Sequence, residues 1–206
     1  MEEQVHIKAG EVSLEARFIP GRSAAGVVIT HPHPLYGGSM DNNVVWTAVR
    51  AYGDQGWSTL RFNFRGVGAS TGRYGDGLAE VEDVAGAVAY LASRVTGPCY
   101  LVGYSFGAAV AARVLLEGLR VAGAVLIAPP ISFMDLGFLP ETPGLNLIVV
   151  GDEDDLSPLA GVEDLCRRRQ PPVDLRVVSG ADHFFGGREE ELYRILKDYS
   201  LPLGLV

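Results

Sequence analysis

Cysteine, histidine and positive charge are all scarce in this chain. Its 206 residues include two cysteines and four histidines, so no more than one disulfide could form within the chain. Cys99 lies in an apolar strand-like run and Cys166 in a helix-like segment, neither with a CxxC partner, so both read as buried free thiols. Lysine and arginine total 17 against 25 acidic residues, a formal charge of −8. The longest basic run, Arg167-Arg168-Arg169, reads as a solvated helix end. This balance argues against nucleic acid or an anionic membrane as partner. Long apolar runs are also missing: the longest uncharged one, residues 98–112, is broken by glycine and too short to span a bilayer. Met1-Glu2-Glu3 is acidic where a secretory signal is positive. The expectation is a cytoplasmic protein.

The composition that remains is globular: 48% hydrophobic and 20% charged, with glycine and proline scattered rather than clustered. With no repeat and no linker, residues 1–206 are expected to form a single domain. Two β-rich segments, residues 4–8 and 13–19, are joined across Ala9-Gly10-Glu11 as a hairpin. Beyond them, apolar runs at residues 26–30, 59–64, 99–103, 123–128, 145–150 and 173–178 alternate with segments at 42–52, 78–94, 106–116, 159–168 and 188–197. The latter carry apolar residues at helical spacing. Continuous apolar strands are buried on both faces, which predicts an α/β fold: a mostly parallel sheet with an antiparallel N-terminal edge, helices on both faces and no cap domain. Sites in such sheets gather at the carboxyl ends of the strands.

One pentapeptide stands at such an end. Gly103-Tyr104-Ser105-Phe106-Gly107 follows the strand-like run at 99–102 and precedes a helix-like alanine-rich segment. A sharp strand-to-helix turn presents the serine hydroxyl, and small residues two positions either side let neighbouring backbone approach. The pattern alone arises by chance too often to be decisive. Its position between strand and helix, with a base downstream, makes Ser105 the candidate nucleophile.

The base is then His183, the single histidine after Ser105, in a glycine-rich loop beyond the last strand-like run. The orienting acid belongs after the run at 145–150, where the chain reads Gly151-Asp152-Glu153-Asp154-Asp155-Leu156-Ser157-Pro158. Asp154 is favoured. Asp152 is still close to the strand end, and Asp155 and Ser157 are placed to turn the chain and cap the next helix. Asp182, adjacent to His183, cannot readily face the ring's Nδ1.

An oxyanion would be held by the backbone N–H of Phe106 and by a second N–H from the loop His31-Pro32-His33-Pro34-Leu35. Its prolines have no donor. His33 and Leu35 remain, and His33 is favoured as the residue two beyond the strand end. A metal reading of His31 and His33 lacks a third ligand at sensible spacing. The glycines of residues 65–72 fall as G-x-G-x-x-x-G, the wrong spacing for a dinucleotide site, so that stretch reads as a tight structural loop anchored by Arg65.

These residues resemble the α/β-hydrolase superfamily, in particular its small bacterial members related to dienelactone hydrolase. The resemblance rests on residues 31–40, Arg61-Phe62-Asn63-Phe64-Arg65-Gly66-Val67-Gly68, Gly103-Tyr104-Ser105-Phe106-Gly107, Gly151-Asp152-Glu153-Asp154 and Asp182-His183-Phe184. It implies Asp154 as the acid and cofactor-free hydrolysis of a small-molecule ester through an acyl-enzyme. Ser105 stands where dienelactone hydrolases proper carry cysteine. Thioesters or small amides would engage the same machinery, and the fold also serves binding modules without turnover. The short connection at residues 129–144 predicts an open site without a lid, with Phe133, Met134, Leu136 and Phe138 available to line an apolar pocket.

Overall fold

The computed structural model describes residues 1–201. The strands are β1 (Glu3–Ala9), β2 (Val12–Ile19), β3 (Gly26–Thr30), β4 (Ser58–Phe62), β5 (Cys99–Tyr104), β6 (Gly123–Ile127), β7 (Leu145–Gly151) and β8 (Asp174–Val178). The helices are α1 (Asn43–Asp54), α2 (Glu80–Arg94), α3 (Phe106–Leu116), α4 (Leu159–Arg168) and α5 (Glu189–Asp198). One sheet holds all eight strands in the order β1-β2-β4-β3-β5-β6-β7-β8. β1 and β2 form the expected antiparallel edge, turning at Gly10 with φ +54°, and β2 pairs antiparallel with β4. Every neighbouring pair from β4 across to β8 is parallel.

The continuous apolar runs of β3 to β7 reflect burial on both faces, whereas the run at 173–178 forms the edge strand β8, in which only Val178 is buried. In β5, Leu101 packs with α2 and α3, whereas Tyr100, Val102 and Tyr104 point to the other face, toward α1 and α5. The same division runs through β6, with Ala124 and Leu126 on one side and Val125 and Ile127 on the other. Fully burying a side chain of this size contributes about 1.5–3 kcal/mol, so a charged residue at any of these positions would undo the layer. Asn42 caps α1, its Oδ1 accepting the Val44 N–H at 2.9 Å.

Three local expectations are corrected. The strand predicted to run to Phe64 ends at Phe62, because the Phe64 N–H is taken by His31 Nε2 (3.0 Å) rather than by a strand. Arg169 is not left to solvent: it bonds the carbonyls of Pro140 and Thr142 and pins the β6–β7 connection. Cys166 is buried, but Cys99 at the start of β5 is only partly so. No helix among the described residues is long and apolar enough to cross a membrane.

Candidate active site

β5 ends in a turn that only its sequence permits. Ser105 has φ +53° and ψ −119°, the strained conformation expected of a residue thrown out between strand and helix. A Cβ on Gly103 would lie 2.6 Å from Ala108 Cα, and one on Gly107 would lie 2.7 Å from His31 O. Both flanking glycines are therefore demanded by backbone approach. The turn is tied back by Ser105 N–H to Ile127 O (2.9 Å), and α3 starts at Phe106, whose N–H belongs to the unpaired first turn.

His183 arrives from the β8–α5 loop and Asp154 from the β7–α4 loop, and the two meet Ser105 in one line. Ser105 Oγ is 2.8 Å from His183 Nε2. His183 Nδ1 is 2.9 Å from Asp154 Oδ2 and 3.0 Å from Oδ1. All three residues are buried. Tyr104 Oη donates to the His183 carbonyl (3.0 Å), fixing the loop from below. Burial, with Asp154 and Asp182 nearby, holds that phenol protonated well above its usual range.

The neighbouring carboxylates have other occupations. Asp152 Oδ1 accepts the Gly180 N–H at 2.6 Å and Oδ2 the Ser179 hydroxyl at 3.2 Å, bracing the β7–α4 loop against the β8–α5 loop. These loops are in backbone contact, since a Cβ on Gly151 would fall 2.0 Å from Ala181 O. Asp182 accepts the N–H of Phe184 (2.9 Å). The expected capping by Asp155 and Ser157 is absent: α4 has no side-chain cap. Asp154 itself turns the chain, its Oδ1 accepting the N–H groups of Leu156 (2.9 Å) and Ser157 (2.8 Å), which also fixes the carboxylate facing the imidazole.

In the β3–α1 loop, the Leu35 N–H is directed to His33 Nδ1 (3.2 Å), while His33 O accepts from Tyr36 and Gly38. His33 Nε2 lies 3.0 Å from Tyr74 Oη, and its ring sits 5.0 Å from that of Phe106. Desolvation lowers the His33 pKa, offset by Asp76. His31 is completely buried and in the neutral form, Nε2 accepting from Phe64 while Nδ1–H donates to Pro32 O (2.6 Å). Burial lowers its pKa to about 4. The glycine-rich loop at residues 65–72 is structural as read: Arg65 binds Asp83 bidentately and reaches Glu82.

Two cavities meet at Ser105. One, of about 250 Å³, is walled by Phe106, Pro130, Phe133 and Met134; the other, of about 300 Å³, by Gly37, Gly38, Asn42, Tyr104, His183 and Phe184. His33, Tyr36, Ser105 and Leu156 border both. Phe133 and Met134 thus line the pocket as anticipated, but Leu136 is buried in the core and Phe138 packs against that core. Tyr36, Tyr104, Leu156 and Tyr74 escaped the sequence reading. Tyr104 was legible in principle, as the residue before the serine; Tyr74 carries no periodic or motif signal.

A model of the alpha/beta hydrolase family matches residues 27–147. A Coxiella burnetii structure, described as an alpha-beta serine hydrolase homologue, is 36% identical, covers 95% of this chain and 96% of its own, and superposes with a TM-score of 0.89. A Xanthomonas campestris structure, described as a serine hydrolase without lid, is 26% identical over 96% of this chain and 92% of its own, with a TM-score of 0.88. An uncharacterized Rickettsia prowazekii protein is 32% identical over 212 residues, 97% of this chain and 89% of that protein.

Proposed function

Because the chain belongs to the alpha/beta hydrolase family, we propose that it is a serine hydrolase cleaving small or short-acyl carboxylic esters through a Ser105-His183-Asp154 triad. The observation that carries this reading is the unbroken line from Ser105 Oγ through the His183 ring to the Asp154 carboxylate, each step at 2.8–3.0 Å. His183 Nε2 removes the hydroxyl proton as Oγ bonds to the carbonyl carbon. Asp154 keeps the remaining ring proton on Nδ1 and stabilises the imidazolium.

The oxyanion is received by the N–H of Phe106 at the head of α3 and by the N–H of His33. The commitment of the Leu35 N–H to the His33 side chain supports His33 over Leu35 for that second donor. Collapse of the adduct expels the alcohol with the proton from His183, and water repeats the sequence on the acyl-enzyme. The short β6–β7 connection, with one 3₁₀ turn at Leu139–Glu141, supports an open site, in keeping with the lidless Xanthomonas relative.

The test has two parts. A phosphonate probe labels Ser105 stoichiometrically, and a panel of p-nitrophenyl esters, acyl thioesters and amides is hydrolysed with preference for the esters. Absence of labelling favours a binding module, and faster turnover of thioesters or amides reassigns the leaving group.

A further inference from the structure

The two cavities at Ser105 differ in a respect that the chemistry makes decisive: His183 lines only one of them. When the tetrahedral adduct collapses, the bond from the carbonyl carbon to the leaving oxygen breaks and its electron pair stays on that oxygen. The oxygen then takes the proton that His183 Nε2 received from Ser105. It must therefore lie within hydrogen-bond reach of Nε2, about 3 Å. The acyl substituent on the same carbon has to leave the tetrahedral centre in another direction.

Resting on the serine-hydrolase reading above, we propose that the cavity walled by Phe106, Pro130, Phe133 and Met134 is the acyl subsite and the cavity walled by Asn42, Tyr104, His183 and Phe184 the leaving-group subsite. The linings also set the chemical class of each half of the substrate. The acyl side is built of apolar side chains, with Phe133 edge-on to Tyr36 and to His33 at ring-centroid distances of 6.2 and 5.9 Å. Such walls accept a compact apolar acid and offer its far end no hydrogen bond. The His183 side adds Asn42 and the backbone of Gly37 and Gly38. Asn42 borders this cavity and its Oδ1 already accepts the Val44 N–H, so we take its Nδ2 donor pair as the group that meets a ligand. The preferred substrate is an ester of a compact apolar acid with an alcohol that carries further hydroxyl groups.

Phe133 lines only the first cavity and Phe184 only the second, and both are largely exposed, at 54% and 62%, so truncating either leaves the core intact. The experiment measures kcat/KM on two substrate sets. One holds the leaving group as p-nitrophenol and lengthens the acid; the other holds the acid as acetate and varies the alcohol from ethanol to glycerol. Phe133→Ala is expected to change the long-to-short acid ratio by about fivefold, roughly one aromatic contact, and to leave the glycerol-to-ethanol ratio as in the wild type. Phe184→Ala is expected to do the reverse. Asn42→Asp, which keeps the helix cap but removes the Nδ2 donors, lowers the glycerol-to-ethanol ratio.

Crossed effects, or equal effects of each variant on both ratios, overturn the subsite assignment while the hydrolase reading survives. A wild-type preference for ethyl over glyceryl acetate overturns the proposed alcohol class. Failure of the wild type to hydrolyse any member of either set overturns the hydrolase reading itself, and the two failures are thereby told apart.

Discussion

The side chain of His33 holds the backbone N–H of Leu35, with Nδ1 accepting at 3.2 Å. In the neutral ring this leaves the proton on Nε2, which donates to Tyr74 Oη at 3.0 Å. One imidazole thus ties the β3–α1 loop to the loop after β4, and so stiffens the loop from which the proposed second oxyanion donor is drawn.

The first prediction follows from that pairing. His33→Ala releases the Leu35 N–H and loosens the loop, lowering kcat about tenfold, less than the roughly 10²–10³ expected for outright loss of an oxyanion donor. His33→Asn supplies an acceptor that reaches an N–H two residues on and recovers most of that loss. Steady-state kinetics on one ester decides it. Equal damage from both variants would show that the ring's apolar contacts, not its acceptor, matter.

Ser105→Ala is expected to abolish hydrolysis, by on the order of 10⁴-fold or more, with a native circular dichroism spectrum. The strained turn adds a second expectation. Ser105→Gly ordinarily costs about 0.5–1 kcal/mol more than alanine in backbone entropy. At φ +53° relief of strain offsets this, so the glycine variant unfolds in urea at the same or a higher midpoint than the alanine variant.

Among the acidic residues after β7, Asp154→Asn lowers kcat by on the order of 10³–10⁴, because the amide no longer selects the productive tautomer. Its Oδ1 still serves Leu156 and Ser157, so the fold persists. Asp152→Asn acts instead on stability, since the carboxylate accepts from Gly180 and Ser179. A larger kcat loss at Asp152 or Asp155 would reassign the acid.

Acidification destabilises the protein through His31. Its folded pKa is about 4, lowered by burial from 6.5, so the unfolded state binds the proton first and stability falls as pH falls. The loss spans pH 6.5 to 4 and amounts to about 3 kcal/mol when complete. Urea titrations across that window detect it, and His31→Gln, which keeps an acceptor within reach of the Phe64 N–H, flattens the slope. A wild-type slope unchanged in the variant would refute the attribution.

An early plateau in kcat/KM with acyl length is expected from the 250 Å³ apolar cavity. Each buried methylene adds about 0.8 kcal/mol only while it stays inside. No jump in rate should accompany micelle formation. A steady rise to long-chain esters would show a deeper groove.

The sheet, its antiparallel edge and the residues aligned at Ser105 were legible because each is encoded locally. Two-faced burial of β5 and β6 writes itself as unbroken apolar runs, and the turn at Ser105 as glycines two residues away on either side. What escaped depends on contacts distant in sequence. β4 ends early because His31, 33 positions before Phe64, supplies its N–H with a partner. Tyr74 reaches the site across 41 positions from His33. The acidic cluster after β7 offered Asp154 as a candidate but not the division of labour among its carboxylates: Asp154 both faces the imidazole and turns the chain, which no count of carboxylates reveals.

Gly151 takes no part in the proposed chemistry, yet any side chain there would collide with the Ala181 carbonyl at 2.0 Å. The β7–α4 and β8–α5 loops are therefore mated through their main chains, independently of any hydrogen bond between Asp154 and His183. A saturation mutagenesis screen would score position 151 as intolerant as Ser105 itself, for the opposite reason. Substitutions at Ser105 leave soluble, silent protein, whereas those at Gly151 deplete the folded protein. Comparing abundance with specific activity separates the two kinds of indispensable residue.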